Sequence, residues 1–226
     1  MDAIIMCAGR GTRMRPITDS IPKPLVPILG KGSLERTLDI LPREVDRVIL
    51  VVGYRGDQIR DRIGTEWKGK KITYLSQQPL DGTGGALRQV EPYLESDRFL
   101  IMNGDDLYSA VDLEKLVQSE RGVLLLETRL EKEEDAWTKD EKGLLTKLRR
   151  MPAGERGLVN IGAYCLDRNW YRTKPIQVPG KANEWSLPHA LLELIAMGSH
   201  VSAVPATWWM PVGTPAELAA AEAALR

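Results

Sequence analysis

Surplus charge is absent from this chain. Its 226 residues hold 31 Lys and Arg against 31 Asp and Glu, a formal net charge of zero. That balance removes the general pull toward DNA, RNA or an anionic membrane, and leaves room for a locally basic pocket around a small phosphorylated ligand. Cysteine is scarce. Cys7 and Cys165 are the only two, each inside an apolar run, which excludes a disulfide framework and a zinc site and predicts buried, reduced thiols. No apolar stretch approaches the roughly 20 residues that span a bilayer. The first residues carry no cationic segment, and the apolar run Ala3–Ala8 is too short for a signal peptide. A cytoplasmic protein with no nucleic-acid or membrane partner is the expectation. Internal repeats are also missing, and the lack of hexapeptide repeats argues against a C-terminal β-helix. The two histidines, His189 and His200, read as helix-surface and strand-edge residues.

What is present is an ordinary globular composition, 43% hydrophobic and 27% charged, on a chain long enough to bury an ample core. Short apolar runs alternate with helical patterns. Ala3–Cys7, Arg47–Gly53, Lys71–Leu75 and Arg98–Met102 read as strands buried on both faces. Between them lie a helix capped by Ser33, another over Gly56–Ile63, and a glycine-rich turn, Asp81–Gly85, that opens a helix through Val90. This rhythm predicts βαβ units in a doubly wound, Rossmann-like, mostly parallel α/β sheet with helices on both faces. Beyond Val123–Leu126 the rhythm loosens. Glu131–Asp140 reads as a charged loop, while Leu144–Leu148 and Leu158–Cys165 read as strands of a small antiparallel extension. A helix starting at Ser186 and a strand over Val201–Val204 follow. Thr214-Pro215-Ala216-Glu217 then forms a capping box for a last helix. One domain over 1–226 is expected, with 1–125 as its first half and 126–226 as its second. Trp208 and Trp209 are expected to pack into the core.

The densest chemistry lies between Ala8 and Leu25. A strand feeds into Gly9-x-Gly11, where the missing side chains let backbone N–H groups approach phosphate oxygens. Arg13 adds a rigid fork of donors and Lys23 a mobile point charge, which together suit a polyanion such as a triphosphate. A dinucleotide fingerprint would need a third glycine where Met14 stands, and Pro16 and Pro22 break any helix there. A Walker A loop is missing too. The plain alternative, a glycine turn with solvated arginines, would suffice for an isolated G-x-G. It does not account for two glycines, Arg13, Pro16 and Pro22-Lys23-Pro24 in one run.

That run resembles the signature of the sugar nucleotidyltransferase superfamily, G-x-G-T-R-x-x-P-x-T followed by P-K-P-L, with Thr12 and Thr18 in place. Further segments are similar in the same order. Gln77–Leu87 resembles the family's nucleobase-binding segment, Asn103-Gly104-Asp105 its metal site, Asn160–Tyr164 its sugar-site strand, and Gly213-Thr214-Pro215 the end of its second metal motif. The resemblance implies transfer of a nucleotide from a nucleoside triphosphate to a sugar 1-phosphate, with pyrophosphate released. It implies that Ala8, Gly9, Gly11 and Thr12 cradle the triphosphate, that Gln77, Gly82 and Thr83 meet the base, and that Arg13 and Lys23 act on the phosphates. Asp105 would hold Mg²⁺, and Asn160, Gly162 and Glu184 would meet the sugar. Asp105 closing a parallel strand agrees with where ligands bind in such sheets, and one carboxylate plus phosphate oxygens is a common Mg²⁺ arrangement.

Two departures stand out. Pro211 occupies the place of the second metal carboxylate, leaving Asp106 and Glu184 as the other acidic candidates. Arg149-Arg150-Met151-Pro152 stands where many members have E-K-P, which offers Arg150 as the group that grips the sugar phosphate. Short members without a C-terminal β-helix, among them N-acetylmuramate 1-phosphate uridylyltransferases, are similar in length, so UTP is the first expectation, with GTP, CTP and dTTP open. A cytidylyltransferase for a non-sugar phosphate and a non-catalytic sensor of nucleotide sugars are the alternatives. Monomer and homodimer are both open.

Overall fold

The computed structural model describes residues 1–226. Ten strands make one sheet. Four parallel strands form its centre: β1 (Asp2–Cys7), β2 (Arg47–Val52), β4 (Lys70–Ser76) and β5 (Arg98–Asn103). The helices α1 (Ser33–Asp39), α2 (Gly56–Ile63) and α3 (Gly82–Val90) lie between them in sequence. A two-residue strand, β3 (Glu66–Trp67), pairs antiparallel beside β4; the sequence pattern gave no sign of it because it is so short. The remaining elements are β6 (Asp106–Tyr108), α4 (Ala110–Gln118), β7 (Gly122–Arg129), β8 (Glu134–Lys139), β9 (Leu145–Met151), β10 (Arg156–Asp167), α5 (Leu187–Ala196), β11 (Ser202–Pro205), β12 (Trp209–Pro211) and α6 (Pro215–Ala224). Strand order across the sheet is β11-β7-β10-β5-β1-β2-β4-β3, with β8 on β10 and β9 on β8, while β6 and β12 form a separate two-stranded ribbon.

The two faces of the sheet bury different sets of side chains, as the strand period of two requires. Ala3, Ile5 and Cys7 join one cluster with Leu34 and Leu38 of α1, Ile59 and Ile63 of α2, and Leu113 and Leu116 of α4. Ile4 points the other way and packs with Ala86 and Leu87 of α3 and Leu191 and Leu194 of α5. Helices therefore cover both faces, which is why the strands read as continuous apolar runs. A smaller cluster of Met14, Val26, Ile28, Leu107, Val212 and Ala221 supports the Gly- and Pro-rich segment from below. No helix is long and apolar enough to cross a membrane.

Three expectations need correction. Glu131–Asp140 is not a loop throughout, because β8 runs from Glu134 to Lys139 with Ala136 and Trp137 buried against the sheet; two apolar residues anchor an otherwise charged stretch. Ser33 does not cap α1. Gly32 holds that position, and the Ser33 hydroxyl donates instead to the carbonyl of Gly104 at 2.8 Å. The Thr214 cap does accept from the Glu217 N–H at 3.2 Å, but Glu217 reaches past it to the N–H of Gly213 at 2.6 Å. Trp208 and Trp209 are half-buried, Trp208 against the small cluster and Trp209 against the first.

Candidate active site

The carboxyl ends of β1 and β5 meet at one point, and the site is built there. Gly104 makes the approach possible. Its N–H donates to the carbonyl of Met6 at 3.0 Å, and a Cβ on it would stand 2.3 Å from Cys7 Sγ, closer than any real contact. Asp105 follows directly and is partly exposed, while Asp106 enters β6 and is buried. After β1 the chain turns through Gly11 in the left-handed region, φ 63°, a conformation that favours glycine. The Thr18 hydroxyl donates to the Gly11 carbonyl at 2.8 Å and holds that turn. Pro22 then leads Lys23 back over β5, where its ammonium forms an ion pair with Asp105 across 82 residues of sequence.

A cavity of about 200 Å³ opens at this junction, lined by Gly9, Gly11, Thr12, Arg13, Lys23, Asp105 and Gly213, among others. A second, of about 350 Å³, continues from it along the strand ends; Met6, Gly9 and Asp105 belong to both. Its other walls include Ala8, Gln77, Leu80, Gly82, Thr83, Asn103 and Glu184. The first is a cationic, glycine-walled space suited to phosphates. The second is longer and mixed in polarity, bounded by the first turn of α3, whose opening N–H groups have no acceptor within the helix.

The two adjacent aspartates behave differently. Burial pushes the Asp106 carboxyl up to about 7, and the charge of Asp105 adds to the rise, against the pull of the Asn103 amide and Lys23. Asn103 Nδ2 donates to Asp106 Oδ2 at 3.0 Å. Asp106 also lies opposite Pro211 in the β6–β12 ribbon. Asp106 is therefore a packed group behind the cavity, and Asp105 is the carboxylate that the cavities expose. Burial raises the Cys7 thiol far above its ordinary value, with Asp105 adding to the effect, so it is no nucleophile.

Of the residues singled out in the sequence, Gly9, Gly11, Thr12, Arg13, Lys23 and Asp105 line the first cavity, and Ala8, Gln77, Gly82, Thr83 and Glu184 the second. Asn160 and Gly162 lie one layer behind. Asn160 donates to the Tyr164 hydroxyl at 2.6 Å and accepts from the Gly162 N–H at 3.0 Å. Gly162, at φ 79°, packs so closely on Asn103 that a Cβ would lie 2.0 Å from its amide nitrogen. Arg150 is not brought to the site. It stands opposite Asp135 on the β8–β9 hairpin and pairs with Asp135 at 3.5 Å and Glu133 at 3.9 Å, so local acidic neighbours hold it. Leu80, Asp81 and Asn103 were given no role from the sequence. An apolar residue left 44% exposed beside a glycine-rich turn marks Leu80 in the structure, but nothing in the sequence shows that exposure.

Comparison with known proteins places this geometry. A family model described as nucleotidyl transferase matches residues 2–226. The chain is 31% identical over 216 residues to the bifunctional protein GlmU of Methanocaldococcus jannaschii, covering 95% of this chain and 52% of that one. It thus spans about half the length of the GlmU relatives it matches. It is 32% identical over 181 residues to the D-glycero-alpha-D-manno-heptose 1-phosphate guanylyltransferase of Campylobacter jejuni, covering 78% of this chain and 80% of the relative. A crystal structure of a UDP-glucose pyrophosphorylase complexed with UDP-glucose shares the fold, with a TM-score of 0.80 at 21% identity over 99% of this chain and 97% of that one.

Proposed function

The chain belongs to the nucleotidyl transferase family, and from that premise we propose that it joins a nucleoside triphosphate, UTP first, to a sugar 1-phosphate. One observation carries this reading: the glycine turn, Arg13 and Lys23 share a cavity wall with Asp105, and a second cavity of about 350 Å³ continues from that wall. The relatives named for a sugar 1-phosphate or a nucleotide sugar support it.

An oxygen of the sugar phosphate attacks the α-phosphorus of the triphosphate. A new P–O bond forms there, the bond from the α-phosphorus to the α–β bridging oxygen breaks, and pyrophosphate leaves with that oxygen. No covalent enzyme intermediate is needed, so the protein contributes positioning and charge neutralisation. The backbone from Ala8 to Thr12 holds the triphosphate. Arg13 is exposed at the cavity beside Gly213 and unencumbered, aimed where charge builds on the transferring phosphoryl group. Lys23 faces both that space and Asp105, and bridges the two phosphate groups.

A divalent cation of the Mg²⁺ type fits the donor set. Asp105 offers one accessible carboxylate on the shared wall, no cluster of three ligating side chains exists, and Mg²⁺ commonly completes its shell with phosphate oxygens and water. Such a cation, when bound, would neutralise phosphate charge beside Asp105. We place the nucleotide against residues of 1–125 and the sugar against Glu184 and the irregular stretch of β10 at Asn160–Gly162 behind Asn103, within one domain. Arg150 has no part in this reading.

The test is pyrophosphate release by the whole protein with Mg²⁺, using UTP, GTP, CTP, dTTP and ATP against a panel of sugar 1-phosphates. Release that requires both substrates and the metal is expected. Release with choline or polyol phosphate instead would make it a cytidylyltransferase of another kind. Nucleotide binding without turnover on any acceptor would make it a sensor.

A further inference from the structure

The far end of the second cavity holds a side-chain amide whose orientation is fixed by its surroundings. Gln77 follows β4 directly, is 6% exposed, and donates its backbone N–H to the Val52 carbonyl at 2.8 Å. Its Nε2 donates to Asp81 Oδ1 at 3.0 Å and to the Gly82 carbonyl at 3.2 Å. An ionised carboxylate and a backbone carbonyl only accept hydrogen bonds. Turning the amide round would set its oxygen against two acceptors, so the NH₂ faces the turn. Oε1 is the group left for the cavity that Gln77 lines.

The clamp is itself held in place. A Cβ on Gly85 would stand 2.1 Å from Asp81 Oδ1, so glycine there is what lets the carboxylate sit under the helix start. The Asp81 carbonyl accepts from the Trp185 N–H at 2.6 Å, and the Gly84 N–H donates to the Trp185 carbonyl at 2.9 Å. The N–H groups of Gly82 and Thr83 precede any intrahelical acceptor. The cavity edge thus offers one acceptor, Gln77 Oε1, next to backbone donors.

We infer that Asp81 sets the nucleobase choice by locking Gln77 as an acceptor, so that the site takes a base with a ring N–H beside a carbonyl. Uracil and thymine present N3–H in this way and guanine presents N1–H. Cytosine and adenine present a bare ring nitrogen at the same edge, which would face Oε1 as a second acceptor. The inference rests on the nucleotidyltransferase reading. Gln77 touches the base, and Asp81 acts through it as a positioning residue.

Calorimetric titration of the whole protein in Mg²⁺ with UTP, dTTP, GTP, CTP and ATP tests it. At least one of the first three is expected to bind about tenfold or more tightly than CTP and ATP, the cost of one buried unmade hydrogen bond. Methylating the ring N–H of the tightest binder should remove about as much. In Asp81→Asn, which can present either an oxygen or an NH₂ to Gln77, that advantage over CTP should shrink about tenfold. A purely structural role for Asp81 would weaken all five nucleotides alike and keep their ratio. An unchanged ratio in folded Asp81→Asn, or a wild type that prefers CTP or ATP, would overturn the lock while leaving the proposed reaction standing. Failure of folded wild type to bind any of the five would remove both. If Asp81→Asn does not fold, the methylated nucleotide decides the matter on the wild-type protein: undiminished binding overturns the lock.

Discussion

Arg13 and Lys23 are both cations in the same cavity, yet their settings differ. Lys23 is only 10% exposed at its side chain and is paired with Asp105, so removing it leaves a carboxylate without its partner and disturbs more than one function. Arg13 is exposed, and its guanidinium lies beside the backbone of Gly213. An exposed arginine with no structural duty contributes little to stability, whereas a donor aimed at charge that develops during transfer is worth about 10²–10³ in rate. Arg13→Ala should therefore lower kcat by about that factor and leave the melting temperature nearly where it was. Wild-type turnover in the folded variant, measured by pyrophosphate release, would remove Arg13 from the reaction.

Two elements carry predictions of their own. At the end of the sheet away from the site, Asp2 of β1 accepts from Arg47 at 2.9 Å and from the backbone N–H groups of Glu95 and Ser96 at 2.8 and 3.0 Å. Burial raises its carboxyl, but these bonds outweigh burial and hold it below the ordinary 3.8. A carboxyl depressed in the folded state stabilises above its unfolded value, and that contribution disappears as pH falls through the folded value. Asp2→Asn should thus cost about 1–3 kcal/mol at pH 7 and much less near pH 2.5. Urea unfolding at the two pH values reads the difference, and an equal cost at both would contradict the role given to the charge. At the site end, the β6–β12 ribbon sets Pro211 opposite Asp106. Pro211→Asp places a second carboxylate opposite Asp106, behind the cavity that Asp105 lines. It should lower the Mg²⁺ concentration for half-maximal rate and, in metal-free buffer, lower the melting temperature by like-charge repulsion. A Mg²⁺ requirement that stays the same would show that position 211 does not reach the cation.

At the scale of the molecule, we propose that the two halves of the chain fold as one unit. β10, from the second half, pairs along β5 from Ala163↔Met102 to Asp167↔Arg98, and both principal core clusters draw residues from each half. Glu184 and Gly213 of the second half complete cavities begun by the first. A fragment of residues 1–125 would leave the long edge of β5 unpaired and strip the second core cluster of Trp137, Trp170 and the apolar face of α5. It should show no cooperative thermal transition, while the full chain melts in one. A cooperative melt of the fragment, followed by circular dichroism, would show two separable domains.

The glycine turn after β1 was readable because its determinants are neighbours in the chain. Gly9, Gly11, Arg13, Pro16 and Pro22-Lys23-Pro24 shape a local turn, and turn chemistry depends on the residues in it. The alternating apolar runs and helical patterns fixed the layered α/β architecture for the same reason, since each run reports its own burial. Where a strand finds its partner is a different kind of information. β8 was hidden because most of its residues are charged or polar and only the adjacent pair Ala136 and Trp137 is buried, which gives no alternating pattern. Arg150 looked like a phosphate ligand because no local pattern reveals that hairpin pairing sets it against Asp135. The pairing of Lys23 with Asp105 and the different burial of Asp105 and Asp106 depend on segments distant in sequence meeting at the ends of the strands. The sequence by itself determined the run of Gly9, Gly11, Arg13 and Lys23 after the first strand and the place of Asp105 at the end of another. Only the tertiary structure decided which of them share a cavity, because that depends on register and crossover rather than on any residue's own neighbours.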